Sequence, residues 1–239
     1  MSLSLRSLYC FAVVALVSTG ALAAPTIMVN DANVTGSLCP TGGLVCEGTS
    51  FPGEGYSIEN WNFTFNPDPS ITSTFTLTNL SSIAQNFLMT ITLPISTISN
   101  PVITGYAGPG QVTDSSDDGA ILTTVGANPI YAARISNIIP DVHAVLDAPQ
   151  NFSAPPHGTV PIGATSFGPD ILGQPADTSI QIRWEFNLTG GDSFAMTGKF
   201  AVEPATIERT VPEPATIALL GIGLAGLRFG RRKRAWRSS

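Results

Sequence analysis

The sequence predicts an all-β fold, an antiparallel β-sandwich of about 8–10 strands that is immunoglobulin-like or jelly-roll-like. One observation is composition, because 23 Gly, 19 Pro and only 12% charged residues in a chain of 239 are typical of a loop-rich β domain. The other is a period of two in the apolar residues of several segments bounded by Pro, Gly, Asn and Asp. Strands with one apolar face bury it by packing two sheets together.

The strands are predicted from individual segments of this alternation. The clearest is SIQIRWEFNL at 179–188, whose apolar side chains fall on one face: Ile180, Ile182, Trp184, Phe186 and Leu188. Four more segments alternate similarly: WNFTF at 61–65, ITSTFTLTNL at 71–80, FLMTITLPI at 87–95 and SFAMTGKFAV at 193–202. Shorter strands are predicted near 102–106, 120–125, 130–135 and 142–146. Residues 151–174 are so rich in Pro and Gly that we expect a long loop there.

The N-terminus has the pattern of a secretory signal peptide. Arg6 provides a positive charge, residues 8–17 are mostly apolar, and Ala21-Leu22-Ala23 is a small-x-small cleavage site. Ten helical residues span about 15 Å, which is too short for a hydrocarbon core of about 30 Å. We therefore predict a cleaved signal peptide over residues 1–23 and export by the Sec machinery.

Export agrees with the cysteine content. Cys10 leaves with the signal peptide, so that Cys39 and Cys46 remain as a pair. Two cysteines without a nearby histidine are too few for a zinc site, whereas a disulfide is typical of an exported chain. Closing this loop of about eight residues would stabilise the fold by about 2.5 kcal/mol.

The part of the chain between its two ends is strongly acidic. All 17 acidic residues lie between Asp31 and Glu213, whereas only four cationic residues lie in the body, giving a net charge of about −13. Those four are Arg134, Arg183, Lys199 and Arg209. Such a body repels phosphates, so we expect no nucleic-acid partner. A simpler alternative is that the charge only keeps an exported domain soluble.

The C-terminus contains three features in a fixed order. It begins with a short motif, continues with an apolar segment at 215–229 and ends with a basic tail at 230–239. The motif consists of Val211, Pro212, Glu213, Pro214, Ala215 and Thr216, and the basic cluster of Arg231, Arg232, Lys233 and Arg234. Residues 211–229 would reach about 28 Å as a helix, which is just enough to span a membrane. The basic tail would then face the cytoplasm.

These features together resemble the PEP-CTERM sorting signal of Gram-negative bacteria. The resemblance implies processing at or near Pro212–Pro214 by an exosortase, with the inner membrane as a transient anchor and the cell surface or an exopolysaccharide matrix as the destination. It covers the last 29 residues or so, and it leaves the body unassigned. The predicted domains are a signal peptide (1–23), a β-sandwich (24–203), a linker with the motif (204–214), a transmembrane helix (215–229) and a basic cytoplasmic tail (230–239).

Segment 114–122, DSSDDGAIL, suggests a weak metal site. Asp114, Ser116 and Asp118 match positions 1, 3 and 5 of a calcium-binding loop, and Gly119 matches position 6. Position 12 is Val125, so the usual bidentate glutamate is missing. Calcium is therefore a possible cofactor, and an acidic turn between strands is the alternative.

Two other patterns in the sequence bear on function. Thr72, Thr74, Thr76 and Thr78 form a row of hydroxyls that could face ice or a glycan, but threonine is also favoured on any solvent-facing strand. Catalysis is not expected, because the chain has only His143 and His157, and Ser166 in GATSFG lacks the spacing of a nucleophile elbow.

We therefore expect a non-enzymatic protein of the cell surface or the extracellular (biofilm) matrix. The alternative is a carbohydrate-binding or adhesion module whose binding face includes Trp61 or the aromatic strand edges, and an ice-binding face is less favoured. Exposed tryptophans would favour binding, whereas burial of Trp61 and Trp184 would favour a structural role.

Overall fold

The computed structural model of the chain describes residues 23–39, 43–136 and 143–205. The predicted signal peptide lies outside these residues except for Ala23, and the sorting motif, the apolar segment at 215–229 and the basic tail lie wholly outside them. Within the described residues, no helix is both long and apolar enough to cross a membrane.

The described residues form fifteen strands and one short helix, α1 (Thr35–Leu38). In chain order the strands are β1 (Thr26–Val29), β2 (Ala32–Asn33), β3 (Val45–Pro52), β4 (Tyr56–Asn66), β5 (Ser70–Asn79), β6 (Gln85–Pro94), β7 (Pro101–Thr113), β8 (Ala120–Thr123), β9 (Tyr131–Ile135), β10 (His143–Val145), β11 (Asn151–Ala154), β12 (Thr159–Ile162), β13 (Thr165–Ile171), β14 (Ser179–Leu188) and β15 (Ser193–Pro204).

The strands form two sheets, which confirms the prediction of an antiparallel β-sandwich. Sheet A has the order β10-β9-β14-β6-β1-β2. Strand β8 pairs with β11 and also with the end of β14, past the part of β14 that pairs with β9. Sheet B has the order β12-β7-β15-β5-β4-β3, and β13 pairs with β7 beside β12. The paired strands described are antiparallel throughout. The finer assignment to an immunoglobulin-like or jelly-roll-like sandwich stays a prediction.

The predicted number of strands was too low, and the predicted loop at 151–174 was wrong. This segment contributes β11, β12 and β13. Pro161 is tolerated because β12 is an edge strand with β7 as its partner, so some of its backbone N–H positions face away from the sheet. Pro169 lies where the register of β13 on β7 shifts between Phe167 and Asp170, and a bulge also accommodates proline.

The core consists of aromatic side chains from both sheets. From sheet A, Trp184 contacts Phe75 of sheet B edge to face, with ring centroids 5.7 Å apart. Phe186 of sheet A contacts Phe194 of sheet B at 4.6 Å. All four side chains are at most 1% exposed. Because each ring buries a large apolar area and meets another in a favoured edge-on geometry, these contacts hold the sheets together.

Trp184 fits into the core because a glycine lies opposite it. A Cβ atom on Gly198 of β15 would lie 2.5 Å from the Trp184 ring and 3.1 Å from that of Tyr131. The polar ends of both aromatic side chains have partners in sheet B: the Trp184 indole N–H donates to Ser73 Oγ at 3.4 Å, and the Tyr131 hydroxyl donates to the carbonyl of Lys199 at 2.9 Å. Burial raises the pKa of Tyr131, so this donor stays protonated.

A disulfide closes the N-terminal side of sheet B. Cys39 and Cys46 are bonded, with their Cα atoms 4.8 Å apart, which confirms the predicted pairing. The bond joins the end of α1 to β3, next to the side chain of Trp61. The Trp61 indole N–H donates to the carbonyl of Leu38 at 3.2 Å, so α1 covers this tryptophan.

We expect Gly198→Ala to destabilise the fold by about 1–3 kcal/mol, because neither the Trp184 ring nor the Tyr131 ring can move away in a filled core. For a domain of this size, each kcal/mol lowers the melting temperature by about 2–4 °C, which thermal unfolding followed by circular dichroism measures. Gly163→Ala is the matched control, because a Cβ there meets nothing within 4 Å. Equal melting temperatures of the two variants would contradict this account of the core.

Candidate cation site and sorting motif

The predicted calcium segment forms the turn between β7 and β8, at the end of the sandwich where β15 begins. The structure brings Asp114, Ser116 and Asp118 together, as predicted, and adds Asp192 from the turn before β15. We call these four residues the acidic cluster. Asp192 was missed because it is far away in the sequence, in TGGDSF, where nothing in the local spacing marks a ligand.

Asp114 serves as an acceptor for surrounding backbone N–H groups. Its Oδ1 accepts hydrogen bonds from the N–H groups of Ser116 at 3.3 Å and Gly119 at 3.2 Å. Its Oδ2 accepts one from the N–H of His157 at 2.5 Å. The carboxylate therefore ties the 114–119 turn to the loop between β11 and β12.

Asp192 is fully buried, and its carboxylate also accepts hydrogen bonds from neighbouring groups. Its Oδ1 accepts a hydrogen bond from the N–H of Ser115 at 3.2 Å, and its Oδ2 accepts one from the hydroxyl of Thr189. The neighbouring Gly191 has φ +80°, and a Cβ there would lie 2.8 Å from the Cβ of Ser116. Glycine is thus required both by the backbone conformation and by the close approach of the two turns.

The hydroxyl of Ser116 lies among three carboxylates. Its oxygen is 2.5 Å from Asp118 Oδ1, 3.1 Å from Asp192 Oδ1 and 3.3 Å from Asp114 Oδ1. One oxygen from each of these carboxylates lies within 4.8 Å of the others. Because a hydroxyl has one proton, it can donate to one of them at a time, and the repulsion among the others favours a bound cation.

A second group of possible ligands shares Asp114. It adds Asp117 and His157, whose Oδ1 and Nδ1 atoms are 2.6 Å apart. Both of these side chains are largely exposed, at 68% and 73%. An exposed pair of this kind contributes little to stability.

The pKa of Asp114 is shifted by its surroundings. Burial raises the pKa of this carboxyl, but the backbone N–H groups of His157, Ser116 and Gly119 act more strongly together in the opposite direction, with a further lowering from Asp192. The net result is a pKa below the ordinary value for an aspartate. The ionised form of Asp114 is therefore favoured in the folded state.

Trp61, Trp184, His143 and the threonine row lie apart from one another in the described part of the chain. Trp61 is 7% exposed and Trp184 is fully buried, so neither offers its face to a ligand. His143 stacks on Phe167 with ring centroids 4.2 Å apart, at the edge of the sandwich. The threonine row of β5 lies on the outer face of sheet B, as predicted, while Phe75 and Leu77 point into the core.

We expect the stability advantage of the wild type over Asp114→Asn to shrink as the pH falls below about 4, the ordinary pKa of aspartate. Because the folded-state pKa is depressed, the contribution of the carboxylate is present at neutral pH and is lost as the pH falls through that pKa. Urea unfolding of both proteins at neutral and acidic pH measures the difference. Asp68→Asn, which removes an exposed carboxylate, controls for net charge. A constant difference between wild type and Asp114→Asn at all pH values would contradict this assignment.

Comparison with known proteins assigns the C-terminus and leaves the body unassigned. The family model of the PEP-CTERM protein-sorting motif matches residues 210–234, which include the predicted motif, the apolar segment and the basic cluster. No curated protein matches the chain. The motif implies export and a membrane-anchored precursor in a Gram-negative bacterium. Residues 210–234 are therefore similar to the PEP-CTERM protein-sorting motif, a signal that implies sorting by an exosortase.

Proposed function

We propose that this chain is a non-enzymatic protein of the cell surface or the extracellular matrix, delivered by its C-terminal signal. The observation that carries this proposal is the PEP-CTERM match at residues 210–234. The acidic body, which is exported without most of the cationic residues of the chain, supports a soluble or matrix-associated destination.

The two ends of the chain supply the delivery steps. The signal peptide at 1–23 directs the chain to the Sec machinery, and the apolar segment at 215–229 holds the precursor in the inner membrane. The basic tail stays in the cytoplasm, which places the sandwich on the outside. The Pro212–Pro214 sequence is the proposed site at or near which the exosortase processes the chain.

The burial of Trp61 and Trp184 favours a structural role over a binding role. A sugar-binding tryptophan must expose its ring face, but the rings of Trp61 and Trp184 are buried against α1 and against β15. The adhesion face that was predicted at Trp61 is therefore not available. Any glycan contact would have to use another surface.

We expect replacement of Pro212-Glu213-Pro214 by three alanines to leave the precursor in the inner membrane at its larger mass. The replacement removes the Pro-Glu-Pro sequence on which processing is proposed to depend. Membrane fractionation and immunoblotting of the host measure this retention.

The matched control replaces Glu203 and Pro204, in an earlier copy of the Glu-Pro-Ala sequence, with alanine. This copy is followed by Glu208 and Arg209 and so precedes no membrane segment. Release of the Pro212–Pro214 variant at the wild-type level would contradict exosortase processing.

We further propose that the acidic cluster binds calcium weakly outside the cell. Convergence of the carboxylates of Asp114, Asp118 and Asp192 around one hydroxyl supports this, since calcium prefers oxygen ligands. Backbone N–H groups already occupy several of these oxygens, so the affinity is expected to be low.

At a Kd of about 0.5 mM, 5 mM calcium should stabilise the folded chain by about 1.4 kcal/mol and raise its melting temperature by a few degrees. Asp118→Asn should abolish this rise, because Asp118 is a cluster member that the backbone does not use. Magnesium and sodium at equal ionic strength, together with Asp68→Asn, control for charge screening. An equal response to calcium in Asp118→Asn and wild type would show that the cluster is only a turn.

A further inference from the structure

The outer face of sheet B contains a groove that includes part of the threonine row of β5. Its cavity volume is about 310 Å³, near the lower end of the range for small-ligand sites. It lies across β5, β15 and β7. The lining residues are Asn60, Thr74, Phe75, Thr76, Pro109, Gly110, Gln111, Ala195, Met196 and Thr197. We call this cavity the sheet B groove.

Two irregularities in the neighbouring strands border the groove. On one side, the pairing of β4 with β5 shifts register between Glu59 and Asn62, and Asn60 has a positive φ of 49°. On the other side, the pairing of β15 with β7 shifts register between Met196 and Gly198, next to Pro109. Bulges redirect side chains and are frequent beside binding sites. Both register shifts coincide with residues that line the groove, Asn60 on one side and Met196 on the other.

The floor is formed by small and hydroxyl-bearing side chains of β5 and β15. Thr76 is paired with Ala195, and Thr74 with Thr197. The hydroxyls of Thr74 and Thr197 are 3.2 Å apart and bond to each other. Because alternate residues of a strand share a face, Thr74 and Thr76 both point into the groove about 6.7 Å apart.

The groove is neutral in an acidic molecule. None of its ten lining residues is charged, although the body carries 17 acidic residues. Within the described part of the chain, the side chains of Asn60, Thr76 and Gln111 have no hydrogen-bond partner. These amide and hydroxyl groups offer both donors and acceptors to a ligand.

We propose that the sheet B groove binds a short stretch of an uncharged polysaccharide. Hydroxyl groups of sugars match amide and threonine donors and acceptors, and the Cβ and Cγ atoms of Ala195 and the threonines provide apolar contact. A polyanion is disfavoured, because Glu59 lies beside Thr76 in the next strand and no lining residue is cationic. The inference rests on the proposed matrix role and assigns it a ligand class and a site.

Native gel electrophoresis of the exported chain in gels with and without polysaccharide tests the assignment. The probes are neutral dextran, galactomannan and hydroxyethyl cellulose, with alginate as the anionic polymer. Wild type should be retarded by at least one neutral polymer and not by alginate. Thr76→Val with Thr197→Val keeps the shape but removes two hydroxyls, so the apparent affinity should fall by about tenfold or more.

Thr90→Val with Thr92→Val is the matched control, because these threonines occupy the outer face of β6 in sheet A. A second variant, Ala195→Glu, should also lose binding by placing a carboxylate on the groove floor. Three results would contradict the proposed binding site. They are equal affinity of the groove variants and the control, retardation by alginate alone, and no retardation by any neutral polymer. Self-association through the groove would instead appear as a dimer of the wild type that Ala195→Glu dissociates.

A different observation would contradict the proposed matrix role without testing the groove. If the wild type is recovered from host cultures in the soluble medium and not with the matrix, the proposed function is wrong even when the purified chain binds a neutral polymer. If the wild type is found with the matrix and the groove variants stay there too, the groove assignment is wrong and the matrix role stands.

Discussion

The packing of Trp184 against Gly198 is the contact on which the rest of the fold depends. It joins the central strand of sheet A to a central strand of sheet B, and the missing Cβ lets the indole approach β15. Phe75 and Tyr131 then pack edge-on against the same ring. Since the two sheets are held at their centres, their outer faces are free to carry other features, and both proposed binding sites lie outside this core.

Strand β15 runs from one end of the sandwich to the other. It starts beside Asp192 of the acidic cluster and runs for twelve residues, about 40 Å, to Pro204, just before the last described residue. The proposed calcium site therefore lies at the opposite end of the body from the point where the chain continues toward its sorting motif. The sheet B groove lies along the same strand, at Ala195 and Thr197. Processing at the tail would leave both sites intact.

Much of the fold followed from local alternation, and the parts that did not have physical explanations. Residues 179–188 and 71–79 were predictable because alternate side chains are buried and most of these are apolar, although Ser73 and Asn79 are buried polar exceptions. The strands around Pro161 and Pro169 were missed, because proline in an edge strand or at a bulge resembles loop sequence. The sequence suggested a binding face at Trp61, because no local pattern shows that α1 covers this side chain in the fold. Asp192 and the sheet B groove depend on pairings between distant strands, which no local spacing reveals.

The C-terminal motif, in contrast, was recognisable in the sequence because its three parts act in linear order. A Pro-Glu-Pro sequence, an apolar segment and a basic cluster in fixed order are visible in the sequence without any knowledge of tertiary contacts. We propose that this tail is removed and that the acidic sandwich alone reaches the cell surface or the matrix. The most direct test is the intact mass of the extracellular protein purified from its host. We expect a chain that begins after Ala23 and ends at or near Pro212–Pro214, whereas a mass that includes the basic tail at 230–239 would contradict the account.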